Sequence, residues 1–169
     1  MKTINILLVI TLFFGICSFQ SGNRKEKRAK EQLEMAQLIQ NGRFRFVARS
    51  ASSNLGLFNH LSSNYEMIFD SLNVRAFLPY YGRAYSVSYG AEGGVKFDLT
   101  AQNIKQSWNE KKKMYFISAE LADSYDHYSI NLSAGRDGYA NLNISFQNRQ
   151  WISYYGTIEK IEPNDKLGK

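Results

Sequence analysis

The chain has almost no cysteine and very little proline or histidine. Cys17 is the single cysteine among 169 residues, and Pro79 and Pro163 are the only prolines. One cysteine closes no disulfide within the chain, so stability has to come from a packed core. A domain of this length can bury one without metals or staples. His60 and His127 are the only histidines. So few His and Cys ligands predict no zinc or copper site, and the sequence implies no cofactor. No serine lies in a G-x-S-x-G elbow, and no glycine-rich loop leads into a helix. Glu120, Asp123 and Asp126 gather in "AELADSYDH". That stretch reads as a solvated hairpin turn, not as two carboxyls facing across a cleft. The expectation is a protein that is not an enzyme.

Charge is also less than it first looks. The formal charge is +6, but Lys2 carries one unit and residues 23–42 carry two. The 127 residues that follow hold only +3. No alternation of basic and aromatic residues suggests a track for a nucleic-acid strand, so no nucleic-acid partner is expected. "KKK" at 111–113 reads as a solvated hairpin tip between two strands.

Long hydrophobic runs are missing except at the start. Lys2 precedes an apolar run from Ile6 to Phe14, broken only by Thr11, and "GICSFQSG" follows. A positive start, a short apolar core and a small-residue exit predict a secretory signal peptide over 1–22. The run is well short of the roughly 18 residues that a spanning helix needs. The mature chain is therefore expected to have no transmembrane span. It is expected in the periplasm, at the outer membrane or outside the cell. Cys17 has two readings. It is the lipidated first residue of a bacterial lipoprotein, or it is discarded by cleavage a few residues later. Ile16 stands where lipoprotein signals usually carry a small residue, which tips the balance slightly toward removal.

What is present is periodicity. Residues 24–40 repeat apolar positions at three- and four-residue steps through Ala29, Leu33, Ala36 and Ile39, which predicts a helix stopped by Asn41-Gly42. The segment 23–42 forms a charged helix or tether, and its later half should pack on the main domain. From Arg43 the period becomes two. Phe44, Phe46 and Ala48 alternate with Arg43, Arg45 and Arg49. "YEMIFD", "NVRAFL", "RAYSVSYG", "GVKFDLT", "MYFISAEL", "HYSINLS", "YANLNISF" and "WISYYGTIEKIE" follow, with turn residues between them. Each strand has one apolar and one polar face, as antiparallel sheets with one wetted face do. The prediction for 43–169 is a mainly β domain, an antiparallel meander of eight to ten strands closing into a barrel, with a sandwich as the alternative. "SSNLGLFNHLSSN" (52–64) is expected as the one long loop. "NLS" (131–133) and "NIS" (143–145) match the glycosylation sequon on outward strand faces, with meaning only in a eukaryotic secretory pathway.

One stretch stands out from this pattern. "LPYYGRAY" (78–85) combines a proline that pre-sets a turn, a glycine free to take positive φ, and three tyrosines. "YYG" recurs at 154–156 and suggests a second strand end of the same kind. Tyr80, Tyr81, Arg83 and Tyr155 are the candidate ligand-binding residues, as a rim for stacking on a sugar or flat ligand. The competing expectation is that these tyrosines plug a barrel end. "VRAFLPYYGRAY", "GVKF" and "NRQWISYYGTI" together resemble the bacterial family called domain of unknown function 4251. The resemblance covers about residues 30–160. It implies export and a lipocalin-like architecture, and it assigns no residue a role. Three functions follow in order. The first is an exported binding module for a small apolar or glycan-like ligand. The second is a structural or protein-interaction module of the envelope, and the third is an enzyme.

Overall fold

Alternation decides which side of each strand meets the core, and the strands follow the expected order. A computed structural model describes residues 19–53, 56, 58–83, 93–124 and 126–161, without the side chains of 19–23 and 63. Helix α1 (Phe19–Gln40) precedes β1 (Arg43–Ser53), β2 (Phe58–Asp70), β3 (Asn73–Leu78), β4 (Val95–Thr100) and β5 (Asn103–Asn109). β6 (Met114–Ala122), β7 (His127–Gly135), β8 (Tyr139–Phe146) and β9 (Ile152–Glu159) complete the set. They form one antiparallel sheet in the order β4-β3-β2-β1-β9-β8-β7-β6-β5, curled into a lipocalin-like half-barrel. The mainly β meander with an N-terminal helix is as predicted. Residues 1–18, with Cys17 and most of the predicted leader, lie outside the described residues, and so do residues 84–92 with Tyr85 and the predicted strand "RAYSVSYG".

The two edge strands are consecutive in sequence and run in the same direction. β4 leaves β3 at Thr100 and β5 takes up β6 at Asn103. Between them Ala101 is buried, and its N–H donates to Leu72 O at 2.8 Å. The next N–H, from Gln102, donates to Glu120 O at 3.2 Å. A two-residue link thus ties both edges of the curled sheet. Phe97 of β4 meets Tyr128 of β7 across the interior, with ring centroids 4.7 Å apart.

Inside, the predicted inward residues are the core. Phe44, Phe46, Met67, Phe69, Ile130 and Leu142 are all completely buried, and so is Tyr154, for which the alternation made no assignment. Phe44 and Phe69 face each other in register and stack at 4.8 Å. The helix contributes less than its stripe suggested. Met35 and Ile39 are buried, but Leu33 is 61% exposed and Ala29 lies in water. Only the last turns dock, because the chain must enter β1 directly after Gly42, which takes φ +64°. The helix also starts at Phe19, inside the segment assigned to the leader.

Three expectations need correction. The segment 52–64 is mostly strand. β1 runs to Ser53 and β2 starts at Phe58, so His60 lies on a strand and not in a loop. β5, the strand before the lysine tip, lacks the two-faced alternation expected of every strand and is exposed along most of its length. Finally, the second "YYG" does not end a strand. Gly156 lies inside β9 and has no positive φ. It pairs with Ala48 of β1 and Ala140 of β8, where the β1 register shifts at a bulge. A Cβ there would stand well inside contact distance of Val47 O and would also crowd the Phe46 ring.

Gly156→Ala is therefore expected to destabilise by about 2–3 kcal/mol or more through overpacking, read as a lower urea midpoint. Ile39→Ala should cost about 2–4 kcal/mol, whereas Leu33→Ala should stay within about 0.5 kcal/mol. Equal losses from the two helix variants would show that the docked face is misassigned.

Candidate functional site

At the open end of the sheet, "LPYYGR" forms a clamped corner. The Tyr154 hydroxyl, arriving from the core, donates to Pro79 O at 2.7 Å. Tyr80 folds back over Gly82, so that any Cβ at Gly82 would collide with the phenol. Gly82 is thus needed for close approach and not for positive φ, contrary to the expectation from its composition. The Tyr80 hydroxyl lies 2.8 Å from Gln150 O and 3.0 Å from Arg83 O. The Gln150 N–H donates to Arg83 O at 3.1 Å. This backbone clip joins the corner to the 147–151 connection.

The acidic cluster beside it is solvated only in part, with Glu120 exposed and Asp123 half-buried. Asp126 is only 6% exposed. Its Oδ1 accepts the N–H groups of His127, Gln147 and Asn148 at 3.0–3.2 Å. Arg149 Nε reaches Asp126 Oδ2 at 3.1 Å, and Arg149 Nη1 donates to Gly94 O at 3.0 Å. The guanidinium lies 4.3 Å from the Phe146 ring centroid and 5.3 Å from that of Tyr80. A buried ion pair so fully satisfied acts as a structural latch between the 147–151 turn and the start of β4. Asp123 turns to Tyr128, whose hydroxyl donates to Oδ2 at 2.9 Å. Among the described residues, no group of three or more His, Cys, Asp or Glu could hold a metal ion. Nor is any described helix long and apolar enough to cross a membrane.

The open surface lies elsewhere, on the outer wall of β5 to β9. Two neighbouring depressions of about 440 and 480 Å³ open there, the second reaching over the β7–β8 hairpin rim to Gln32 of α1. The first is floored by Ser107, Ser118, Asn131, Ser133 and Asn143, with Lys105 at its edge and Phe116 between. Asn131 and Asn143 are cross-strand partners, and Asn141 sits between Ser133 and Tyr155. The second depression contains Tyr139 and Tyr155. These rings are 53% and 45% exposed and stack nearly parallel, with centroids 6.0 Å apart.

The profile of the domain of unknown function DUF4251 matches residues 26–158. The chain belongs to this family. Among solved structures, a crystal structure of a DUF4251 family protein from Bacteroides eggerthii is similar, with a TM-score of 0.61 and 17% identity. The match covers 78% of this chain and 89% of that one. At this identity the likeness concerns the fold alone. No curated protein matches the chain.

The four predicted site residues do not converge. Tyr80 is half-buried and committed to the clamp, whereas Tyr81 and Arg83 are exposed at the corner. Tyr155 projects from the opposite face of the sheet to Tyr154, beside Tyr139. Tyr139 was missed because it directly follows a turn. The Ser/Asn floor had a legible signal, since "SINLS" and "NLNIS" place uncharged residues on consecutive outward positions. Asn131 and Asn143 of the two sequons are indeed exposed on mid-strand outward faces.

Arg149→Gln should cost about 3 kcal/mol, because it leaves the buried Asp126 carboxylate without its cation. The tyrosines predict an alkaline limit. Burial, first of all, raises the Tyr128 and Tyr154 phenols far above the usual tyrosine range, and Asp123 adds to this at Tyr128. A group whose folded pKa is raised stabilises fully below its unfolded value, here 10, and that contribution is lost as pH climbs toward the folded value. The urea midpoint should hold to pH 10 and fall above it, and Tyr154→Phe should flatten that fall. An unchanged slope in the variant would show that Tyr154 does not carry the effect.

Proposed function

We propose that the protein is an exported, non-catalytic binding module of the bacterial envelope that holds a glycan-like ligand on the outer wall of its sheet. One observation carries this. An exposed stacked tyrosine pair adjoins a field of serine and asparagine side chains, while the interior is occupied. Tyrosine rings offer flat apolar faces to sugar C–H groups, and amides and hydroxyls can both donate to and accept from sugar hydroxyls. An apolar ligand inside the sheet would have to displace Phe44, Phe46, Phe69 and Tyr154, all completely buried. Export is supported by the apolar run from Ile6 to Phe14 behind Lys2. The polar groups of the Asp126 cluster are spent on backbone amides and Arg149, which leaves them no free valence for acid–base work.

A protein-interaction module is the second reading, favoured by the same exposed Tyr139–Tyr155 pair above a filled core. A glycan array separates the two. The mature chain should retain bacterial polysaccharides, and Tyr139→Ala/Tyr155→Ala should weaken retention by about tenfold or more without lowering the Tm. His60→Ala and His127→Ala should leave retention unchanged. Absence of any retained glycan, together with cross-linking of an envelope protein through position 155, would establish the second reading instead.

A further inference from the structure

The outer wall is not electrically neutral at its margins. Four cations line the two depressions, namely Lys105, Lys112, Lys113 and Arg136. Asp137 is the one acid among the lining residues, and its Oδ1 accepts the Tyr139 N–H at 3.3 Å. Lys113 is matched by Glu110 at the hairpin tip. Lys112 and Arg136 differ from it. Lys112 Nζ lies 5.6 Å from the centroid of the outward Phe116 ring, whereas the Arg136 guanidinium lies 4.6 Å from that of Trp108, which shares the inward row of Tyr115. Neither forms a salt bridge among the described residues, although Glu110 lies in the field of Arg136. An aromatic face orients a cation and fixes its stem without cancelling its charge. Lys112 is therefore held at the outer wall and Arg136 at the β7–β8 hairpin rim of the second depression, with charge still to be met by a ligand or by solvent ions.

Placing these cations beside the Ser/Asn floor and the tyrosine stack narrows the ligand class. We infer that the outer wall binds an anionic glycan chain, one bearing carboxylate or sulfate groups. Its sugar faces would lie on Tyr155 and Tyr139, its hydroxyls on Asn131, Asn141 and Asn143, and its acid groups against Arg136 and Lys112. Lys105, at the far edge of the first depression, extends the cationic margin. The two depressions lie side by side along the strands, so their shape suits an extended chain of sugars. An acidic lipid surface shares the charge but needs a contiguous apolar set to insert. The exposed Phe58, Leu72 and Trp151 are not among the residues lining either depression.

This inference rests on the outer-wall reading, and titration calorimetry of the mature chain tests the two separately. The probes are hexagalacturonate, a heparin-derived hexasaccharide, maltohexaose and phosphatidylglycerol vesicles. At least one acidic hexasaccharide should bind about tenfold or more tighter than maltohexaose, and the advantage should shrink in high salt. Lys112→Gln/Arg136→Gln should abolish the advantage and keep the Tm, and Tyr155→Ala should weaken acidic and neutral sugars alike. Equal binding of acidic and neutral sugars, lost in Tyr155→Ala, overturns the charge inference while the outer-wall reading stands. Binding to no hexasaccharide overturns both. Binding to vesicles alone overturns both in favour of a membrane surface.

Discussion

The β1–β9 ladder is the constraint on which everything else rests. β9 is the last strand in sequence and the middle strand of the sheet, with β1 to β4 on one side and β5 to β8 on the other. Each of those halves is a local meander of hairpins. β9 joins them into one sheet, pairing with β8 on one side and with β1 from Arg45↔Glu159 to Ser53↔Ile152 on the other. The approach is tightest at Gly156, where only a hydrogen atom fits against Val47 O. The β1 bulge at Arg49 sits at the same level, adding twist where the two halves meet. Because its partners are about a hundred residues apart, this ladder is also the most non-local pairing among the described strands.

With β9 in place, the corner and the latch follow. Tyr154 points inward from β9, and its hydroxyl finds Pro79 O, which would otherwise be a strand-end carbonyl beside an apolar core. The connection entering β9 brings Arg149 and Gln150 to Gly94 and Arg83. The "LPYYGR" box is best understood as a joint. Its proline sets the turn, and its glycine makes room for the Tyr80 ring. That ring seals the core edge against Phe146 at 5.6 Å.

The outside of the sheet divides into two regions with different chemistry. On β1, β2 and β9, Arg45 reaches both Glu66 and Glu159, and Arg49 also meets Glu159, so charges there are largely matched within the fold. On β5 to β8 most outward positions carry serine and asparagine, and Lys112 at the margin rests on the Phe116 ring. A surface whose charges are already matched has little left to offer a ligand. The second region keeps its hydrogen-bonding capacity and a net positive field, and the proposed binding rests on these two features.

The period-two alternation was legible from Phe44 to Ile158, because one face of every strand but β5 meets a common core. The patterned strands, the turns between them and most of the inward residues follow from that alone. β5 escaped because both of its faces are largely wet, and 58–64 escaped because its polar run hides a strand that needs only backbone partners. The candidate site was legible only in part. Tyr155 could be chosen as an aromatic, but its partner Tyr139 could not, since the two meet through the β8–β9 register and not through sequence spacing. The role of Asp126 was likewise invisible, because a carboxylate in a turn is solvated unless remote backbone amides and an arginine close over it. The sequence by itself determined the one-faced strands, the helix stop at Gly42 and the family. Tertiary structure decided which tyrosines are joints and which are surface, because that depends on contacts between residues far apart in the chain.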